Sequence, residues 1–267
     1  MQFYYRIKKY SYLIKSLIGI TSISILTNAN ADSNMNFNFT SQISDEDYKT
    51  IAKTIINPTR FQFMSSPTPS AGKIIPLVIS LGGGLSYLSI PQSTIDIINK
   101  YTDSANNFPS TILIPRFIGK IGVPFGIDFA VNYAKIPQSS LELYGLAAQY
   151  VYASPKVVPI TLAIRGGYTQ ISGFTPMSAS SSNAEILLGI PLPIIKPYGG
   201  VGNNWSNANT SVSLTGTLSN QTLSKSANWS ETYAIIGVQA IAIIGLDFEA
   251  QISSFQTIYN AKFSIEI

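Results

Sequence analysis

Residues 126–136 read GIDFAVNYAKI, and this stretch decides the fold class. Its large apolar side chains occupy every second position, at Ile127, Phe129, Val131 and Tyr133. The positions between them hold small or polar residues, namely Gly126, Asp128, Ala130, Asn132 and Ala134. A helix would scatter these residues around its circumference, whereas a strand sorts them onto two faces. The pattern therefore predicts a β-strand with one apolar and one polar face.

The same alternation recurs in residues 159–171, 243–252 and 257–267. Taken together, the second faces are mostly Gly, Ala, Ser, Thr and Asn, with isolated charges of both signs. A soluble sheet turns a face rich in Lys and Glu to water, whereas a membrane barrel turns small polar residues into its lumen. The alternation therefore favours a transmembrane barrel over a soluble one.

The pattern divides the chain into ten strands of an all-β, antiparallel, up-and-down transmembrane barrel, although eight or twelve strands remain possible. We predict strands at 74–90, 111–119, 126–136, 141–152, 159–171, 184–192, 197–203, 231–240, 243–252 and 257–267. The long connections all follow odd-numbered strands, and such barrels have short periplasmic turns and longer outer loops. We therefore expect both chain ends in the periplasm of a Gram-negative cell, and the barrel in its outer membrane.

Composition agrees with a membrane barrel and excludes nucleic-acid binding. Charged residues make up 11% of the 267 residues, against roughly 25% in an average soluble protein. The net charge is +4, but four of the 17 basic residues precede residue 32, where there is no acidic residue. The remaining 13 basic residues balance the 13 acidic ones, so no basic surface supports a nucleic-acid partner.

The residues before the barrel divide into two segments. Residues 1–31 are expected to be a cleaved signal peptide, because a basic start precedes an apolar run at 16–26 and an Ala-Asn-Ala site ends it. Residues 32–60 are expected to be a periplasmic segment whose residues 44–57 form an amphipathic helix that ends before Pro58. The helix has two interpretations, a plug of the barrel or a short helix against its rim, and the sequence favours the rim.

The inward-facing charges are expected to form a balanced network in the lumen. The residues proposed for it are Asp128, Arg165, Glu185, Asp247, Glu249, Lys262 and Glu266, with Arg116 as a further cation. Amphipathic rings are favoured at membrane interfaces, and the aromatic residues proposed there are Tyr133, Tyr168, Trp205, Trp229 and Tyr259. Tyr144 and Tyr150 are candidates for side chains that block a water path through the lumen.

Nothing in the sequence points to an enzyme. The chain contains no histidine and no cysteine, which excludes Ser-His-Asp and Cys-His sites, imidazole zinc sites and thiolate metal sites. Asp247 and Glu249 point the same way from one strand and are conceivable as an acid/base pair, but ion pairing is the favoured role. We expect no catalytic residues, no metal and no cofactor.

Residues 115–128 (PRFIGKIGVPFGID) resemble a family of uncharacterised outer-membrane β-barrel proteins. The matching positions are Pro115, Arg116, Lys120, Pro124, Gly126 and Asp128. Residues 159–173, 196–202 and the closing strand fit as well, so the resemblance covers about residues 60–267. Two departures are the Ile121-Gly122 insertion after Lys120 and the final Ile267, where such barrels usually end in an aromatic residue. The resemblance implies the barrel fold and no assigned activity.

Two functions remain open at this point. The first is a narrow channel or a structural surface protein, since ten strands enclose a lumen close to the size that side chains fill. The second is an adhesin or interaction protein that acts through outer loops 91–110 and 204–230 on an unknown extracellular ligand. The partners common to both are outer-membrane lipid and, during biogenesis, the barrel-assembly machinery.

Overall fold

The computed structural model describes residues 36–70, 77–104, 108–137, 139–154, 159–173, 177–214, 221–241 and 244–266. The expected signal peptide, residues 1–31, lies outside the described residues. Within the described part of the chain, no helix is long and apolar enough to cross a bilayer.

Ten antiparallel strands form one closed barrel, in which each strand pairs with its neighbours in sequence and β1 pairs with β10. The strands are β1 (Val78–Ser89), β2 (Thr111–Val123), β3 (Ile127–Lys135), β4 (Glu142–Ser154), β5 (Ile160–Ser172), β6 (Ser178–Gly189), β7 (Ile195–Ser213), β8 (Thr222–Ile241), β9 (Gly245–Ser253) and β10 (Thr257–Glu266). The prediction of an up-and-down barrel of ten strands is confirmed.

The two faces of each strand lie where the alternation predicted them. In β3, Phe129 and Val131 point outward with 53% and 59% of their surface exposed, while Asp128, Ala130 and Asn132 are buried inside. Because successive side chains of a strand point to opposite faces, the same alternation in the other strands builds an apolar exterior and a polar interior.

The strand connections define two ends of the barrel. The end that we call the loop end carries connections 90–110, 136–141, 173–177, 214–221 and 254–256. The end that we call the turn end carries connections 124–126, 155–159, 190–194 and 242–244, together with the start of β1 and the end of β10. The longest connection lies at the loop end, as expected.

Among the described residues, two α-helices lie at the loop end. Helix α1 (Asp45–Ile56) begins at Ser44, whose hydroxyl accepts a hydrogen bond from the backbone N–H of Asp47, and it ends ahead of Pro58. Such a cap satisfies one of the unpaired N–H groups of the first turn. Helix α2 (Gln92–Tyr101) lies in the first connection, where the sequence analysis expected a loop.

Residues 36–56 and α2 form one body, which we call the cap. Phe39 bridges to Thr102, and the Thr40 N–H donates to the carbonyl of Tyr101. The buried apolar face of α1 packs against loop-end residues of the strands, as part of a cluster that includes Leu88, Ile112, Ile171, Leu223 and Ile258. The cap therefore closes the loop end of the barrel.

The cap and the end of β10 lie at opposite ends of the barrel. Residues 32–60 were expected on the same side as the C-terminal residue, whereas residues 36–56 lie at the loop end and Glu266 lies at the turn end. The cap lies far from the start of β1 because residues 57–70 cross the inside of the barrel before β1 begins.

Candidate functional site in the barrel lumen

Residues 57–70, which we call the lumen segment, run through the barrel from the loop end to the turn end. The Trp229 indole N–H donates to the Asn57 side chain near the loop end. At the turn end the Ser70 hydroxyl donates to Asp128, at 3.2 Å. Residues 57–67 are all buried, so the described barrel holds a strip of its own polypeptide in place of an open lumen.

Side chains of the wall bind the backbone of the lumen segment. Arg116 donates to the carbonyl of Pro58, Arg165 to that of Ser65, and Lys262 to that of Phe63. The side-chain amide of Asn183 donates to the carbonyl of Phe61, at 3.4 Å. Carbonyls of an irregular strip have no ladder partners, and a buried carbonyl without a partner is costly. The wall supplies the missing donors.

The wall is also shaped around the side chains of the lumen segment. A Cβ atom at Gly145 would lie 2.8 Å from the ring of Phe61, and one at Gly167 would lie 2.7 Å from the Cβ of Phe61. Farther toward the turn end, a Cβ at Gly189 would lie 2.7 Å from Pro67. These contacts are closer than atoms of a larger side chain allow, so glycine makes room for the segment.

Arg60 joins the lumen segment to strands β8 and β9 of the wall. Its Nε donates to the Gln251 side chain at 2.7 Å, and its guanidinium carbon lies 3.9 Å from the ring centroid of Tyr233. A buried guanidinium requires such partners because an isolated buried charge is strongly unfavourable. Sequence analysis missed Arg60, since the segment around it has no periodicity.

Six of the seven residues proposed for the lumen network are buried inside the barrel: Asp128, Arg165, Glu185, Asp247, Glu249 and Lys262. Two ion pairs lie among them, and neutral side chains and Arg60 connect most of the others. Lys262 pairs with Asp247 at 3.2 Å across β9 and β10, and Arg165 pairs with Glu185 at 3.7 Å across β5 and β6. Gln149 links Arg165 to Asp128. The seventh residue, Glu266, is 40% exposed at the turn end and lies 4.0 Å from Lys120.

The carboxylates conceived as an acid/base pair have structural partners. Glu249 accepts hydrogen bonds from the Tyr198 hydroxyl at 2.9 Å and from the Gln251 amide at 2.8 Å. Asp247 faces the ammonium of Lys262. Among the described residues, no group of three or more His, Cys, Asp or Glu side chains could hold a metal ion.

Four of the five proposed interface aromatics point outward, with Tyr133, Tyr168, Trp205 and Tyr259 each at least 39% exposed. Trp229 was placed wrongly, because it is 7% exposed and points into the barrel toward Asn57. Tyr144 and Tyr150 were also placed wrongly as lumen blockers, since both point outward at 50% exposure.

The two expected outer loops have more structure than predicted. In 91–110, α2 packs on the N-terminal residues, and the Tyr101 hydroxyl donates to Asp47. In 204–230, β7 continues to Ser213 and β8 starts at Thr222, so these strands form a long hairpin. Beyond Trp205 the outward side chains of this hairpin are polar, and several inward ones, such as Ala208, Leu223 and Ala227, are apolar and buried under the cap. The alternation of apolar outward and small polar inward residues is therefore lost, which is why it did not mark this part as strand.

Tyr48 links the cap to the hairpin. Its hydroxyl shares a 2.9 Å hydrogen bond with Thr210 Oγ1 on β7. Burial raises the pKa of Tyr48, an effect that the hydrogen bond to Thr210 partly opposes. The phenol therefore acts as a neutral hydrogen-bonding group between α1 and the barrel.

Comparison with known proteins gives a family match and several similar folds. The profile of a family of unknown function (DUF6588) matches residues 83–267, a range that includes the 115–128 stretch. None of the curated proteins compared with the chain matches it.

Similar solved structures include the translocator domain of autotransporter NalP from Neisseria meningitidis, with 7% identity, a TM-score of 0.48, and coverage of 74% of this chain and 89% of that chain. The KdgM porin has 11% identity, a TM-score of 0.33, and coverage of 70% and 98%. The attachment invasion locus protein Ail of Yersinia pestis, in complex with a heparin analogue, has 11% identity, a TM-score of 0.30, and coverage of 72% and 97%. At such identities the similarity concerns the fold alone.

Proposed function

This chain belongs to the family of unknown function DUF6588, and from its geometry we propose an integral outer-membrane β-barrel that its own lumen segment closes to solutes. Its role is that of a structural surface protein without catalytic activity. The observation that carries this proposal is the burial of residues 57–67 inside the barrel, with wall side chains bound to their backbone.

The exterior supports a membrane environment. The outward positions between the rims of the barrel carry large apolar side chains, including Leu81, Phe129, Leu146, Ile186 and Phe248, each at least 46% exposed. Soluble monomers rarely expose a contiguous apolar patch above about 600 Å², and this belt surrounds the barrel. Lipid is the solvent in which such a belt is stable.

An aromatic girdle marks one edge of this belt. Tyr87 pairs in register with Tyr259, and Tyr133 pairs with Tyr144. The Tyr144 hydroxyl donates to Glu142, which lies closer to the loop end. Amphipathic rings with their polar atoms turned away from the lipid are typical of a membrane interface. This girdle therefore supports a bilayer edge near the loop end.

The reconstituted full-length chain tests the proposal in a planar bilayer. We expect an integral protein that resists alkaline extraction and changes its gel mobility on heating, and we expect no sustained conductance steps at low voltage. Sustained steps would overturn the closed-lumen proposal, and release of the protein by alkali would overturn the membrane proposal.

The adhesin alternative rests on the hairpin of β7 and β8. Beyond Trp205 its outward side chains are uncharged and polar, and Asn209 pairs in register with Ser226. A glycan array probes this role: if the hairpin binds sugars, the N209K/S226K variant should lose binding that the native chain shows. Equal binding of the two proteins, or no binding by either, would exclude the hairpin as a glycan-binding surface.

A further inference from the structure

We infer that this barrel displays residues 36–56 on the outer surface of the cell, with its lumen as the passage that connects them to β1. The inference rests on the proposed outer-membrane location. It reverses the expectation that the helix before the barrel is periplasmic. It also explains why the polar lumen is filled by residues 57–70 of the same chain.

The first step is the position of the cap. The Asn38 side chain and the Asn38 N–H both donate to Asp103, which follows α2 in the longest connection. The Asn36 side chain accepts a hydrogen bond from the N–H of Ser140, in the connection between β3 and β4. Two different loop-end connections therefore hold this part of the chain.

The second step is the path from the cap to β1. Successive contacts descend the barrel wall: Asn57 with Trp229, Phe61 with Asn183, Pro67 with Gly189, and Thr68 with Lys196. Asn57 and Ser70 contact residues near opposite ends of the barrel. A strip of this length reaches roughly 40 Å when extended, which exceeds the apolar band of about 25 Å of such barrels. The lumen segment is long enough to cross the membrane once.

The third step is the orientation of the barrel. Outer-membrane barrels place longer connections outside and short turns in the periplasm. The loop end holds connection 90–110 and the tip of the long hairpin, whose outward side chains past Trp205 are polar. The turn end holds tight connections such as Pro124–Gly126, in which Phe125 is 90% exposed. The loop end, and with it the cap, therefore faces the outside.

One face of α1 in the cap is exposed to solvent. Asp45, Glu46 and Lys49 of α1 are exposed, while the opposite face of the helix packs into the barrel mouth. Lys225 of the hairpin pairs with Asp45, which ties this surface to β8. Residues of α1 and the hairpin thus present one continuous surface at the loop end.

Single cysteines test the inference directly, because the chain has none of its own. The variants are Lys49→Cys on α1, Asn209→Cys on the hairpin as the loop-end control, and Phe125→Cys as the turn-end control; all three side chains are exposed. Gram-negative cells that express each variant are treated with a membrane-impermeant maleimide–polyethylene glycol, intact or after permeabilisation of the outer membrane.

We expect K49C and N209C to be labelled on intact cells, and F125C to be labelled only after permeabilisation. Labelling of N209C without K49C on intact cells would overturn the display of α1. Labelling of F125C alone would overturn the orientation. If no site is labelled on intact cells, the inference also fails, and alkaline extraction with heat-dependent mobility then shows whether the membrane barrel itself stands.

Discussion

Truncation of Phe61 to alanine should convert the closed barrel into an intermittently open one. The ring of Phe61 is 1% exposed, lies beside Gly145 and Gly167, and makes an edge contact with Phe63 at a centroid distance of 5.6 Å. Loss of a buried phenylalanine side chain costs about 3–5 kcal/mol. Because Phe61 belongs to the lumen segment, this loss falls on its docking and leaves the wall residues unchanged.

Even the lower end of this range, about 3 kcal/mol, predicts a measurable change in channel opening. Since about 1.4 kcal/mol corresponds to a tenfold change in an equilibrium constant, a loss of about 3 kcal/mol raises the ratio of displaced to docked segment roughly 100-fold. In single-channel recordings, the ratio of open to closed time should therefore be about 100 times higher for F61A than for the native chain.

The matched control is Phe125→Ala, which removes an equal side chain from the exposed turn between β2 and β3. It should record like the native protein. If F61A stays as silent as F125A while both proteins insert in equal amounts, docking of the segment does not close the barrel, and the reasoning fails.

Three further measurements test other parts of the structure. In lipid brominated on its acyl chains, the tryptophan fluorescence of W229F should be strongly quenched, because its remaining Trp205 faces the lipid. The fluorescence of W205F should be quenched only weakly, since its remaining Trp229 points inward. Equal quenching of the two variants would contradict the assigned faces. Val131→Arg should lower the free energy of unfolding from vesicles by about 2–4 kcal/mol, against little change for Val131→Leu, and a neutral V131R would argue against lipid contact at this position. Gly145→Ala should weaken docking of the lumen segment, because its added Cβ would lie 2.8 Å from the ring of Phe61. When Phe61 is already alanine, the same substitution should change channel opening less than it does in the native chain. Equal effects of G145A in the two backgrounds would contradict the contact.

The barrel itself was predictable because its signal is local. A strand wall with lipid outside must alternate, and β3 carries the whole alternation within Ile127–Lys135. Where the outward residues become polar and the inward ones pack under the cap, this alternation is lost, so β7 was predicted to end at residue 203 although it continues to Ser213. The same reasoning explains the late start predicted for β8, which begins at Thr222 and not at residue 231.

Helix α2 carried a signal that the sequence analysis did not use. Its buried residues Thr94, Ile95 and Ile98 follow helical spacing, and Tyr101 continues the same face. The helix lacks a side-chain N-cap hydrogen bond and begins after Pro91. Without the usual capping residue, the first connection resembled a loop.

The lumen segment was not predictable from local pattern. Residues 57–70 have no period, and their partners are remote in the chain: Asn183 is 122 positions from Phe61, and Lys262 is 199 positions from Phe63. Six of the residues proposed for the lumen network lie on the inner face, and among them Lys262 pairs with Asp247 and Arg165 with Glu185. The sequence analysis did not predict that Arg116, Arg165 and Lys262 also hold the backbone of the segment.

The chemistry of the wall distinguishes a polypeptide occupant from a passing solute. A solute path needs binding that is weak enough for release, and it gains nothing from cations that donate to carbonyls of the same chain. Here three cations bind three carbonyls of the lumen segment, and glycines lie where Phe61 and Pro67 approach the wall. Hydrogen bonds to charged groups contribute about 1.5–3 kcal/mol each, so the wall stabilises the docked segment at several separate points. Donors placed for carbonyls and space made for rings are both complementary to a peptide strip, and we therefore assign the polar lumen to the chain's own N-terminal segment and not to a transported solute.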